Sequence, residues 1–337
     1  MDCGAGRRWD MAKLAEIAAH AGVSEATVSR VLNDKTNVAE ATRALVLTSI
    51  DVLGYERPSN LRRRMVGLVG LIVPELTNPV FPLFAQTIQT RLAAMGYTAV
   101  LCTQAPGGAQ EDDYISMLLE RGVAGVVFVS GRHADLTADL GIYRDLSARG
   151  LPMVTINGHR GEIDAPSLST DERASVRMAV AHLRQLGHTR IGLATGQGRY
   201  VPSERKLEAF RELVPDGEVQ QTWFSVEGGE LAGRALIESG VTGIVCGSDL
   251  MALGVIRAAE QAGVAVPEQL SVIGYDGSLV TQYTWPPLTT LRQDVTGLSG
   301  AAVHALGEEI AGHPHPRGET LFAPELIVRS STAPPPR

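Results

Sequence analysis

Two patterns of apolar residues divide this chain. In LAEIAAHAGVS (14–24), Leu14, Ile17, Ala18 and Ala21 recur at the spacing of one helical face. Gly22 can end that helix, and Ser24 is a suitable N-cap for a second. Val28, Val31 and Leu32 give the second helix its buried face. From residue 67 the pattern changes to apolar runs of strand length: GLVGLIVP (67–74), TAVLC (98–102), GVVFVS (125–130), PMVTIN (152–157), RIGLAT (190–195), TGIVCG (242–247) and LSVIGYD (270–276). Helical patterns such as PLFAQTIQTRLAAMG, YISMLLERG, SVRMAVAHLRQLG and LMALGVIRAAEQAG lie between them.

Apolar runs alternating with helices predict parallel sheets in a doubly wound α/β architecture. The strands are too many for one small sheet, so two lobes are expected, with a break near NGHRGEIDAP (157–166). The first part predicts a small all-α unit: two short helices joined by a Gly-containing turn, a helix-turn-helix. A chain of 337 residues has room for both.

Charge sharpens this division. Residues 1–66 hold 10 Lys/Arg against 8 Asp/Glu, a balance of +2, and the remainder holds 20 against 29, or −9. Within the first part, RPSNLRRR (57–64) has four Arg and no acid. DNA affinity depends on local phosphate neutralisation, so the chain's net charge of −7 does not exclude it. The three cysteines, Cys3, Cys102 and Cys246, show no metal-ligand spacing and read as thiols in a reducing cytoplasm. No apolar run is long enough for a membrane span, and MDCGAGRRWD lacks the apolar stretch of a secretory signal. A cytoplasmic location is therefore expected.

A helix-turn-helix offers the N-terminal residues of its second helix to the major groove. Arg30 can make a bidentate contact to guanine, Glu25 can accept from a cytosine amine, and Ala26 can touch a thymine methyl. Thr27, Ser29 and Asn33 suit phosphates. The plainer alternative is a helical pair with a polar outer face.

The stretch LAEIAAHAGVSEATVSRVLNDKTNVAEATRALVLTSIDVLGY resembles the DNA-binding headpiece of the lac repressor (LacI/GalR) family. The AGVSxATVSRVLN core, Thr42-Arg43 and the LGY at 53–55 fall at that family's spacing. Further on, ELTNPVFPLFAQ, LRQLGHTRIGLATG, CGSDLMALGVIRAAEQAGVAVPEQLSVIGYD, PPLTTLRQD and LIVRSST are similar to its core, so the likeness runs from about residue 11 to 332. It implies a transcriptional regulator that acts as a repressor, with a core like the periplasmic sugar-binding proteins. The implied partners are pseudo-palindromic operator DNA, a small-molecule effector such as a sugar, and a second copy of the chain. Neither enzymatic activity nor a cofactor is implied, and local sequence shows no metal-ligand set or nucleophile elbow. The ending STAPPPR lacks the leucine-rich helix of tetrameric members, which favours a dimer.

On that resemblance Ser24, Glu25, Ala26, Thr27, Ser29, Arg30 and Asn33 take DNA-contact roles. So do Leu61, Arg62 and Arg63 of a hinge that places a wedge in the minor groove. Counting back from the next strand puts Leu61 at the wedge; counting on from Pro58 puts Met65 there, and Leu61 is preferred. The expected divisions are an unstructured extension at 1–10, a headpiece at 11–56, a hinge at 57–66 and the two-lobed core at 67–337. Lobe 1 is expected at about 67–157 and 289–318, and lobe 2 at about 158–288 and 319–332. Lys13 and Ala39 stand where the family usually caps its first and third helices with hydroxyl side chains.

Ligands of open α/β sheets bind at the carboxyl ends of strands. Asn78, Phe81, Ser130, Asn157, Thr195, Ser248 and Asp276 are the candidates there, a set that suits a polyhydroxy ligand between the lobes. Asp276 matches the family aspartate that bonds the effector. Asp249 is read as the cap of the following helix. In RKLEAF, Lys206 stands in the register of an effector-binding Arg, with Arg205 beside it. Lys lacks the planar fork of Arg, so either residue is a candidate.

Overall fold

The computed structural model describes residues 11–33, 35, 38–55, 66–104 and 108–336. The chain forms two compact units, Met1–Val66 and Gly67–Arg337. The expected extension and residues 57–65 of the expected hinge, including Leu61, Arg62, Arg63 and Met65, lie outside the described residues.

In the first unit, helices α1 (Met11–Ala21), α2 (Glu25–Leu32) and α3 (Glu40–Val52) surround Ile17, Ala18, Val28, Val31, Leu32, Val46 and Ile50. The helical spacing at 14–32 therefore marks a buried face. Ser24 caps α2: its Oγ accepts from the Thr27 N–H at 3.2 Å. Ala39 precedes α3 and offers no side-chain cap. Arg43 in its first turn donates to the Lys35 carbonyl at 2.8 Å. His20 and Ser49 tie α1 to α3 at 3.0 Å.

The described residues of the second unit form two six-stranded sheets. In the first, β1 (Gly67–Val73), β2 (Tyr97–Thr103), β3 (Gly125–Val129), β4 (Met153–Ile156), β5 (Pro166–Thr170) and β11 (Gly318–Phe322) run in the order β11-β5-β4-β3-β1-β2, all parallel. Helices α4 (Val80–Ala94) and α11 (Val295–Ile310) cover one face, and α5 (Glu111–Glu120) and α6 (Gly141–Ala148) the other. The second sheet runs β12-β10-β9-β8-β6-β7, from β6 (Ile191–Gly196), β7 (Val219–Thr222), β8 (Gly243–Cys246), β9 (Ser271–Asp276), β10 (Thr289–Arg292) and β12 (Glu325–Ile327). Only β12 pairs antiparallel among the described strands. Helices α7 (Glu172–Gln185) and α8 (Val201–Leu213) cover one face, α9 (Val226–Glu238) and α10 (Asp249–Gln261) the other.

The lobe boundaries differ from expectation. Residues 157–165 are a loop within the first lobe, because β5 after it pairs with β4 and β11. The chain first crosses between Thr170 and Glu172. Residues 289–292 belong to the second sheet through pairing with β9, and β11 belongs to the first. The remaining crossings thus fall after β10 and after β11. The PSLST of β5 hid this arrangement: it is polar, yet wholly buried between two neighbours.

Glycines set the spacing of α9 and α10. A Cβ on Gly254 would lie 2.0 Å from the Val226 carbonyl oxygen and 2.5 Å from the Glu230 nitrogen. A Cβ on Gly229 would lie 2.1 Å from the Met251 oxygen. Both obstacles are backbone, so no rotamer change relieves them. Ala in place of a helical Gly gains about 1 kcal/mol of propensity, whereas overpacking costs about 1–3 kcal/mol or more. Gly254→Ala is therefore predicted to lower the urea midpoint of the second unit. A rise in the midpoint would show that the helices separate freely.

Candidate functional site

The strand ends of both sheets converge on one cavity of about 460 Å³. Asn78 and Phe81 reach it from the turn after β1 and the start of α4, Ser130 from β3 and Asn157 from β4. The second lobe supplies Ser248 ahead of α10, Lys206 from α8 and Asp276 at the end of β9. Thr195 is fully buried but does not line the cavity; a Cβ on the lining residue Gly247 would come within 3.0 Å of its Oγ1.

Backbone strain marks the same place. Among the described residues, three other than glycine have φ in the left-handed region: Ser130 at 46°, Asn157 at 55° and Asp276 at 116°. All three line this cavity. Such conformations cost about 1–3 kcal/mol each and persist where the surroundings over-determine them.

The surroundings of Asp276 do so with hydrogen bonds. Asn78 Nδ2 donates to its Oδ2 at 3.2 Å, and Gln293 Nε2 to its Oδ1 at 2.8 Å. Gln293 Oε1 accepts from Asn157 Nδ2 at 3.0 Å and from Thr170 Oγ1 at 2.9 Å. Asn157 Oδ1 takes the Thr170 N–H at 3.0 Å. Asp276 comes from the second sheet and Asn78, Asn157 and Thr170 from the first, so the chain of bonds spans both lobes. Burial raises the Asp276 carboxyl well above its usual range, and the nearby Asp249 carboxylate adds to this. The Gln293 and Asn78 bonds and the Lys206 charge oppose the shift.

A second buried group lines the same cavity. Lys206 Nζ lies 2.5 Å from Glu172 Oε2, with both side chains 4% exposed. Tyr275 donates to Glu172 Oε1 at 2.8 Å, and its ring centroid is 3.8 Å from Lys206 Nζ. Arg205, the adjacent candidate, is not in the cavity. Neighbouring helical residues point about 100° apart, and Arg205 instead pairs with Glu319 of β11 at 2.7 Å. That pair forms another tie between the lobes.

The helix cap also differs from expectation. Ser248 caps α10, accepting from the Met251 N–H at 3.2 Å. Asp249 turns inward, where Oδ2 accepts from the Ser278 N–H at 2.7 Å and Oδ1 from Thr290 Oγ1 at 2.5 Å.

The other polar and aromatic lining residues were not foreseen. Glu172 follows β5, Trp223 and Phe224 follow β7, and Gln293 follows β10. Gln197, Arg199, Tyr200 and Ser203 lie between β6 and the first turn of α8, and Glu75 follows β1. Residues 135 and 200 form an antiparallel bridge beside the cavity, which Ala134 and Tyr200 line. There the Leu136 N–H donates to the Arg199 carbonyl at 2.7 Å, and Arg199 Nε lies 3.5 Å from Asp135 Oδ2.

In the first unit, α2 turns Val28, Val31 and Leu32 inward and leaves Glu25, Ala26 and Arg30 exposed. Ser24 and Thr27 are 2.9 Å apart at its start, and Asn33 Nδ2 donates to the Ser29 carbonyl at 2.8 Å at its end. Among the described residues no group of three His, Cys, Asp or Glu could hold a metal ion.

Known proteins resemble this chain throughout. Residues 13–58 match the family model for bacterial regulatory proteins of the lacI family, and residues 180–332 match the periplasmic binding protein-like domain. An uncharacterized HTH-type transcriptional regulator in the aml 5′ region of Streptomyces limosus is 55% identical over 331 residues, covering 95% of this chain and 94% of that protein. The HTH-type transcriptional regulator MalR of Streptomyces coelicolor is 53% identical, with 96% and 97% covered. Among solved structures, a complex of the transcriptional regulator CelR with cellobiose superposes with a TM-score of 0.69 at 27% identity, covering 94% of this chain and 99% of that one.

Burial raises the Asp249 carboxyl from 3.8 to about 6. A raised carboxyl pKa contributes stability that is fully present below the unfolded value and is lost as pH rises through the folded one. The destabilisation caused by Asp249→Asn should therefore shrink as pH rises from about 4 to 7, measured as the difference in Tm between wild type and variant. A difference that grows with pH would show that the hydrogen bonds of Asp249 outweigh its burial.

Proposed function

The chain belongs to the lacI family of bacterial regulatory proteins, and on that premise we propose that it is a dimeric repressor whose affinity for a pseudo-palindromic operator is set by a sugar held between its lobes. It acts by binding, not as an enzyme. The observation that carries the reading is the cavity around Asp276. Hydroxyl, amide and carboxylate groups from both lobes converge there with the rings of Phe81, Trp223 and Phe224. Hydrogen-bonding groups grip a polyol's edge and aromatic faces cover its C–H faces. The bound cellobiose of the CelR complex supports the ligand class.

Within this reading Asn78, Phe81, Asn157, Lys206, Ser248 and Asp276 contact the effector. Arg205 has no such role, because its guanidinium is taken by Glu319 outside the cavity. Helix α2 enters the major groove with Glu25, Ala26 and Arg30 toward base edges and Ser24, Thr27, Ser29 and Asn33 near phosphates. Leu61, Arg62 and Arg63 enter the reading from sequence alone, as minor-groove wedge and flanking cations. The protein would work in the cytoplasm; among the described residues no helix is long and apolar enough to cross a membrane.

A second copy is part of the proposal, because a palindromic site repeats the half-site that one headpiece reads. The loop after β9 leaves Leu279, Tyr283 and Trp285 at 75%, 79% and 92% exposure. Apolar area of this kind marks association surfaces, and a second copy of this chain is the proposed cover.

Selection of random duplex DNA on the purified protein, with and without a sugar pool, tests the reading. A palindrome should be enriched under at least one condition; enrichment under neither rejects it. Arg30→Ala should relax sequence preference by roughly 1–3 kcal/mol at one base pair and leave sugar binding intact. Asp276→Asn should remove the sugar response and leave operator binding intact. Loss of both activities in both variants would contradict separate sites. Tyr283→Lys with Trp285→Glu should convert a dimer to a monomer in sedimentation experiments, whereas an unchanged mass would place the interface elsewhere.

A further inference from the structure

The cavity is poor in available positive charge. Its lining contains two cations, Arg199 and Lys206, and three carboxylates, Glu75, Glu172 and Asp276. Lys206 is matched by a buried partner, and Arg199 is half exposed, where water screens its charge. Arg199 lies against Asp135, and its Nη2 is 2.6 Å from the Tyr200 hydroxyl. Lys206 is held at 2.5 Å by Glu172 and faces the Tyr275 ring. The donors that remain are neutral. Ser203, one turn before Lys206 on α8, is fully buried and lines the cavity, and its Oγ has no hydrogen-bond partner. Asn78, Asn157 and Gln293 present amides.

We infer that this cavity selects an uncharged polyhydroxy ligand, and that Glu172, by neutralising Lys206, is the residue that excludes phosphorylated sugars. The inference rests on the sugar-effector reading and specifies it. A phosphate ester carries about −1.5 to −2 charges at neutral pH. Burying it without a free counter-ion costs far more than a neutral hydroxyl that finds a partner. Ser203 supplies such a partner. A merely structural Glu172–Lys206 pair would hold α7 to α8 and leave ligand charge preference unaffected; its position in the cavity wall separates the two roles.

The test is calorimetric titration of the full chain with cellobiose, lactose, glucose and ribose, each beside its phosphate ester. At least one neutral sugar should bind, and its ester should bind weaker by a factor on the order of a hundred. In Glu172→Gln, which keeps an acceptor for Tyr275 and frees the Lys206 charge, that discrimination should fall at least tenfold. Gln197→Lys gives an independent arm, since it adds an unpaired cation at an exposed lining position without touching the buried pair. It too should narrow the discrimination at least tenfold. Wild type binding the ester as tightly as the free sugar would overturn the inference and leave the sugar reading standing. Full discrimination in folded Glu172→Gln would overturn the role of Glu172, and in Gln197→Lys the charge argument itself. Binding of neither sugars nor esters would remove the sugar reading along with the inference.

Discussion

A carboxylate buried at the seam between two sheets organises the larger unit. Asp276 ends β9 in a strained conformation, receives Asn78 from the first lobe and Gln293 from the crossing after β10, and lies beside a second buried carboxylate. A lone charge there would cost several kcal/mol. Amide donors, one of them borrowed from across the seam, offset part of that cost, so the two lobes are coupled through the group a ligand would contact. A sugar hydroxyl placed against Asp276 adds to these donors or competes with them. Either event changes the balance of bonds that joins the lobes.

The remaining ties across the seam differ in kind. The Arg205–Glu319 pair and the contacts of Asp135 and Leu136 with Arg199 and Tyr200 lie where side chains are partly exposed. Ion pairs of this sort contribute at most about 1 kcal/mol each. They can break and re-form without unfolding either sheet, whereas the cores on both faces of each sheet hold the lobes as intact bodies. Small relative movement of the lobes is the motion this distribution of energies permits, and it is what a ligand held by both lobes can bias.

The sequence revealed elements in proportion to how apolar they are. GVVFVS and GLVGLIVP are buried on both faces and read directly as strands. PSLST, VQQT, TTLR and GETLF are polar or short, and become strands because a neighbour supplies the ladder. The site residues that escaped notice follow from this. Glu172, Trp223, Phe224 and Gln293 sit at the ends of unrecognised strands, so no end was there to search. Asn78, Ser130, Asn157 and Asp276 follow strands that were visible, and they line the cavity. Arg205 and Lys206 show another limit: adjacent residues on a helix cannot be told apart until the phase of that helix is known.

On the proposed function, the Asp276 cavity and the α2 surface are energetically linked. Linkage is reciprocal: a sugar that changes operator affinity by some factor must have its own affinity changed by the same factor when operator is bound. The direct measurement is both affinities at one fixed salt concentration, operator with and without saturating sugar, and sugar with and without saturating operator. The account predicts equal factors, of about 5 to 150. Sugar that binds with the same affinity to free and operator-bound protein would contradict it, and the cavity would then be a binding site without control over DNA.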